Sequence, residues 1–182
     1  MHPWLHFKTI TKHKLMVTRY CFRIGLYKQG LLHDLSKYSP VEFLPGCKYY
    51  QGTQSPNNAE RIERGYSSAW IHHKGRNRHH YEYWIDYVVG DPKIINGIRM
   101  PREYVAEMVM DRISASRTYM GEKYTQSSPL EYFLNGKHKL WFVHPETLRD
   151  LEALLRILND KGEDALLRYI KYRYLKKDEK KY

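Results

Sequence analysis

The stretch GLLHDLSKYSPVEF, residues 30–43, sets two apolar residues, Leu31 and Leu32, directly before a histidine and an aspartate, His33 and Asp34. Lys37 follows three residues later. Then comes Ser39-Pro40-Val41-Glu42, a hydroxyl, a proline and an acid in the order that opens a helix. The reading is a second helix carrying His33, a break after Lys37 and a third helix from Pro40. Neighbours on a helix point about 100° apart, so His33 and Asp34 reach one point only if it lies near the helix edge. A carboxylate has two oxygens, so Asp34 can touch one metal ion and bridge to another, with His33 as a terminal ligand of the first.

Outward from this stretch the chain reads as helices. Phe7 to Gly25 forms the first, with Ile10, Leu15, Val17, Cys21, Phe22 and Ile24 as its apolar positions. Residues 45–58, PGCKYYQGTQSPNN, read as a loop. A helix runs from about Ala59 to His73, is interrupted by KGRN, and gives way to another from His79 or His80 to about Val89. Pro101 opens a long helix to about Tyr119, with Val105, Met108, Val109 and Ile113 on one side. Ser128-Pro129-Leu130-Glu131 begins a short helix, and Pro145 begins another. In the latter Leu148, Leu151, Leu154, Leu155 and Leu158 form the cleanest apolar stripe, either core or a dimer face, ending at Gly162. The last helix covers Glu163 to about Leu175. With no alternating strand and no domain-sized repeat, the expected fold is all-α, one domain over residues 1–182 with about six to eight helices. Its metal-site core would span about residues 7–120, with the helices of 128–175 packed on it and a basic tail at 176–182.

A chain of 182 residues, 42% hydrophobic, can bury one sizeable core and is short for two. No window approaches the roughly 18 apolar residues of a membrane span. The opening MHPWLHFKTI lacks the apolar run and cleavage site of a secretory peptide. Cys21 and Cys47 form no CxxC pair, which excludes a Cys-rich zinc site and points to a reducing cytoplasm. The net charge of +11 suits an acidic partner or substrate without choosing among nucleic acid, nucleotide and sugar phosphate. Seventeen tyrosines suit a polar cleft as well as a base-stacking surface.

The histidines are grouped. His13 lies on the first helix, His33 beside Asp34, and HHKGRNRHH supplies His72, His73, His79 and His80. Asp111 follows at the flank of its helix's apolar face, where an acid is costly to bury unless paired or bound to metal. This mix of imidazole and carboxylate suits Zn, Mn or Fe better than Ca or Mg. On an unbroken helix His72 would share a face with His79, and His73 with His80. Gly75 and Asn77 argue for a turn instead. Either geometry converges one histidine of each pair, and the residues do not say which. His2, His6, His138 and His144 carry no site role, the last belonging to a helix start before Pro145.

The order His13, His33-Asp34, distant Asp111, with the word LLHDLSK, resembles the HD-domain superfamily of metal-dependent phosphohydrolases. The likeness covers about residues 7–120, and the two histidine pairs lie closer together than in the commoner members. It implies a helical bundle of the HD-domain type in which His13, His33, Asp34 and Asp111 hold a first ion. Asp34 would bridge to a second, held by one of His72 or His73 and one of His79 or His80, with His73 and His80 preferred. The implied cofactor is one or two divalent transition-metal ions, Mn, Fe or Zn. Asp34 and Lys37 would be catalytic, and Lys37, Arg76, Asn77 and Arg78 would contact substrate inside an apolar surround of Trp70, Tyr83 and Trp84. The implied activity is hydrolysis of a phosphate monoester or nucleotide. Two rivals remain: a di-iron oxygenase on the same scaffold, and a non-catalytic basic helical protein that binds nucleic acid. The expected partner is an anionic, phosphorylated small molecule, with no membrane and with a homodimer left open.

Overall fold

Pro3 and Gly25 bracket helix α1 (Pro3–Ile24). Proline lacks an N–H that the first turn would leave unpaired, and Gly25 takes the left-handed φ of 87° that ends the helix. The computed structural model describes residues 1–90 and 95–176. The buried face of α1 runs through His6, Ile10, His13, Val17, Tyr20, Cys21 and Ile24. Two imidazoles therefore share the stripe, whereas Leu15 and Phe22, expected on it, fall out of phase and are exposed.

Helix α2 (Tyr27–Leu32) lies close on α1 because Gly30 leaves no room for a side chain beside Cys21 and Phe22. Helix α3 (Pro40–Lys48) starts where expected but runs on through Pro45 and Gly46, which sequence reading assigned to a loop. An internal proline forfeits a helix hydrogen bond. Here packing prevails, because Gly46 carries the His6 ring directly against its backbone.

The single helix expected over 59–73 is two, α4 (Pro56–Arg64) and α5 (Ser68–Lys74). Gly65, at φ 78°, ends the first, and Ser67 caps the second by accepting the Trp70 N–H at 3.1 Å. Buried Glu60 holds the corner, accepting from the Ser67 and Ser68 hydroxyls at 2.6 and 2.7 Å.

No helix occupies 79–89. A short 3₁₀ turn at Tyr81–Tyr83 leads into strand β1 (Ile85–Tyr87), paired antiparallel with β2 (Ile95–Gly97) so that Ile85 faces Gly97. This small hairpin corrects the expectation of no strand. It is seated by Gly97, whose Cα presses on the backbone of Phe142 to His144.

Four more helices follow: α6 (Arg102–Met120), α7 (Ser128–Gly136), α8 (Pro145–Lys161) and α9 (Glu163–Tyr169), the last continuing as a π-helical turn over Ile170–Tyr174. His144 caps α8, its Nδ1 accepting the Glu146 N–H at 3.2 Å. Leu151, Leu154, Leu155 and Leu158 of α8 are fully buried. Each such burial contributes roughly 1.5–3 kcal/mol relative to exposure. They meet Val17 and Cys21 of α1, Val105, Val109 and Ile113 of α6, and Leu166 and Ile170 beyond, in one core. The result is a single-domain bundle with nine α-helices and one hairpin among the described residues. None of those helices is long and apolar enough to cross a membrane. The basic tail lies, beyond Lys176, outside the described residues.

Candidate metal centre

His33 and Asp34 do not sit on a helix as expected. Helix α2 stops at Leu32, and Asp34 adopts φ 55°, the left-handed region, before a 3₁₀ turn at Leu35–Tyr38. It is the one non-glycine among the described residues to do so. The kink turns both side chains inward, each residue 1% exposed. Helix α1 satisfies the carbonyls that the abrupt end leaves open. Lys14 Nζ donates to Leu31 O at 2.7 Å and His33 O at 2.9 Å, and Thr18 donates to Gly30 O at 2.7 Å.

Around this corner α1 contributes His13, α6 contributes Glu107 and Asp111 one turn apart, and the end of α5 contributes His73. The turn after Gly75 brings His79 and His80 back beside His73. Asn77 closes that turn, its amide donating to His73 O at 2.8 Å and Ser36 Oγ at 2.8 Å.

Three groups of donors are each compact enough to hold a metal ion; Asp34 belongs to the two larger ones, and the third is His33, His79 and Glu107. On the Oδ2 side, His33 Nε2 is 3.3 Å away and His13 Nε2 3.7 Å, while Asp111 Oδ1 stands 2.9 Å from His13 Nε2 and 3.6 Å from His33 Nε2. On the Oδ1 side, His73 Nε2 is 3.2 Å away and His79 Nε2 3.4 Å, and His80 Nε2 is 2.9 Å from His73 Nε2. Two donors each about 2.1 Å from one cation stand about 3.0 Å apart at a right angle and about 3.4 Å apart in a tetrahedron. The observed spacings bracket those values.

The unpaired atoms give the same answer. His13 Nε2, His33 Nε2, His79 Nε2 and Asp34 Oδ1 are buried without an aligned hydrogen-bond partner. Each such group ordinarily costs about 1–3 kcal/mol, so several in one place call for a ligand. Three of the ring nitrogens that face away from the centre are engaged by carboxylates. His33 Nδ1 and His79 Nδ1 lie 2.8 and 3.2 Å from the same oxygen of Glu107, and His73 Nδ1 lies 2.8 Å from Glu42 Oε2. An Nδ1–H donated to a carboxylate leaves the Nε2 lone pair facing the centre, the arrangement that metal-ligating histidines use. The donor set fits divalent transition-metal ions.

Charge is concentrated here. Burial alone would raise the Asp34 carboxyl, but His33, Lys37 and His73 hold it well below the usual carboxylate range. Asp111 is held well below it too, against its burial, by His13 and His33. Glu107 and Glu42 are lowered by the histidines they grip, again against burial. For His33, burial is outweighed by Asp34, Asp111 and Glu107, and its pKa stands well above the ordinary imidazole value. His80 is the reverse: burial, then the neighbouring His79 and His73, push it well below. Ionised Asp34, Asp111, Glu42 and Glu107 must be balanced by imidazolium protons or by cations.

Of the residues singled out from sequence, His13, His33, Asp34 and Asp111 lie in the first group. His73, His79 and His80 join Asp34 in the second. His72 lies outside both, its Nδ1 2.6 Å from Glu42 Oε1. Lys37 Nζ pairs with Asp34 Oδ2 at 2.5 Å, its side chain 29% exposed at the rim. Arg76 is exposed and bonds the His72 carbonyl at 3.3 Å. Arg78 is exposed over the rings of Tyr83 and Tyr104. Trp70 walls the second group, its ring 4.7 Å from His80 and 5.5 Å from His73. Tyr83 and Trp84 meet each other edge to face instead. Glu42 and Glu107 were missed. Glu42 reads in sequence as a helix-opening acid, and only the spacing of Glu107, one turn before Asp111, hints at its role.

Geometry thus defines a predominantly helical bundle with clustered histidines and aspartates capable of coordinating metal ions. The chain belongs to a family of unknown function, DUF5662, whose sequence profile matches residues 2–157. That span takes in every residue of both donor groups. No curated protein and no solved structure matches.

Proposed function

We propose that this chain is a metal-dependent phosphohydrolase on an HD-type bundle, cleaving a phosphate monoester or nucleotide with two divalent transition-metal ions. The observation that carries the reading is Asp34, whose two oxygens face two separate sets of imidazole nitrogens. His13, His33, Asp34 and Asp111 would hold one ion, and Asp34, His73, His79 and His80 the other. When bound, such a pair activates water and neutralises charge developing on a phosphoryl group.

The chain's own groups do the rest. Asp34 sets the spacing of the two positions. Glu42 and Glu107 fix the tautomers of the imidazoles. Lys37 stays protonated, because Asp34 and Asp111 outweigh its burial. At the rim it would hold a non-bridging oxygen of the substrate. The side chains of Lys37 and Asp111 are partly open, 29% and 18% exposed, so substrate would enter from their side. Asn77 acts through the turn it closes, and Arg76 and Arg78 remain for the distal part of an anionic substrate. A net charge of +11 favours that substrate at long range.

The test is elemental analysis of protein purified without chelator or nickel resin, followed by a panel of phosphate esters with Mn, Fe, Co and Zn. Two equivalents of metal with phosphate release support the reading. No metal above background ends it. Three imidazoles to one carboxylate in the second group also suit iron. Oxygen consumption by iron-loaded protein without phosphate release would favour the oxygenase on the same scaffold.

A further inference from the structure

Glu107 is buried in α6, 4% exposed, and one of its oxygens does two jobs. Oε1 lies 2.8 Å from His33 Nδ1 and 3.2 Å from His79 Nδ1. His33 belongs to the first donor group and His79 to the second, and their rings pack 4.4 Å apart between centroids. Each ring turns its other nitrogen, Nε2, toward Asp34, at 3.3 Å for His33 and 3.4 Å for His79. Glu42 is built differently. It reaches His73, a member of the second group, through one oxygen and His72, a member of neither, through the other. The centre thus has two supporting carboxylates of unlike reach: Glu42 serves one ion position, and Glu107 serves both.

We infer that Glu107 is a positioning residue that couples the two ion positions, so that filling one prepares the other. The inference rests on the two-ion reading above. An ion drawing on His33 Nε2 makes its Nδ1–H a stronger donor and fixes where Glu107 Oε1 sits. That fixed oxygen then holds the His79 ring with its Nε2 toward the second position. The ordering of Glu107 is needed once for two ions, which is positive cooperativity carried by one side chain. Asp34 links the positions directly, and Glu107 links them from behind the rings.

The experiment compares stepwise Mn²⁺ titrations of metal-free wild type, Glu107→Ala, Glu107→Gln and Glu42→Ala, read by calorimetry and by the exchange-coupled spin signal of a manganese pair. Glu107→Ala is expected to weaken both binding steps by roughly 10–100-fold and to lose the paired signal at concentrations that saturate wild type. Glu107→Gln keeps the shape and an accepting oxygen, so it should weaken both steps by about tenfold and recover the paired signal at higher Mn²⁺. It serves as the readout where Glu107→Ala does not fold. Glu42→Ala should weaken one step only. Wild type taking up two ions while the Glu107 variants lose a single step, or neither, overturns the coupling and leaves the two-ion site standing. A third equivalent in wild type, lodged at the close group of His33, His79 and Glu107, would also overturn it, since Glu107 would then be a ligand. Wild type that binds fewer than two ions fails the two-ion reading itself.

Discussion

His73 and His80 meet nitrogen to nitrogen, their Nε2 atoms 2.9 Å apart in a half-buried contact beside the Trp70 ring. Two imidazoles face each other this way only around a shared proton or a shared cation. With Glu42 taking the Nδ1–H of His73, the His73 Nε2 lone pair faces His80, free to accept its proton or to hold a cation with it. Alanine at either histidine is therefore expected to remove one equivalent of metal and leave the other. Asp34→Asn, which touches both groups, is expected to weaken both by at least 10-fold. Elemental analysis after gel filtration decides. Equal losses in all three variants would show that the two groups are not separate positions.

Lys37 can be tested apart from metal binding, because its ammonium pairs with Asp34 at the rim and belongs to neither donor group. Lys37→Ala is expected to keep two equivalents of metal and to lose about 100-fold in kcat/KM, with Lys37→Arg recovering part of it. Steady-state rates on the best ester, beside metal content, measure this. Unchanged turnover would remove Lys37 from the substrate side of the site.

The pH dependence has a definite sign. His33 and His73 have folded pKa values raised above 6.5, Asp34 opposing burial in both cases. Their contribution to the stability of metal-free protein is complete below that pH and is lost as pH rises through the raised values. Metal replaces those protons, so the loaded protein does not share the loss. The melting-temperature gap between loaded and metal-free protein should widen from pH 6 to pH 9, as thermal scans across that range would show. A gap that narrows on the alkaline side contradicts the assignment of these rings as ligands.

Much of this architecture can be read before folding. Pro40, Pro101 and Pro145 mark true helix starts, and the leucines of α8 lie where their spacing puts them. His13 and Asp111, 98 positions apart in the chain, come within 2.9 Å through the packing of α1 on α6. What escapes has physical reasons. Strands of three residues are too short to display alternation, and the hairpin depends on how Gly97 fits the Phe142–His144 backbone far along the chain. Pro45 stays helical because of the His6 ring on Gly46, a contact between distant segments. The choice of His73 over His72 is made by the end of α5 and the turn at Gly75–Asn77. Glu42 escapes because its local role at a helix start hides its distant one.

The left-handed backbone at Asp34 sets durability against chemistry at a single position. Glycine would occupy that corner with about 1 kcal/mol less conformational penalty, but it would take away the carboxylate that balances Lys37, His33 and His73. Asp34→Gly should therefore lose both ion positions and, with Lys37 and the facing imidazoles stripped of their carboxylate, melt earlier than wild type in thermal scans.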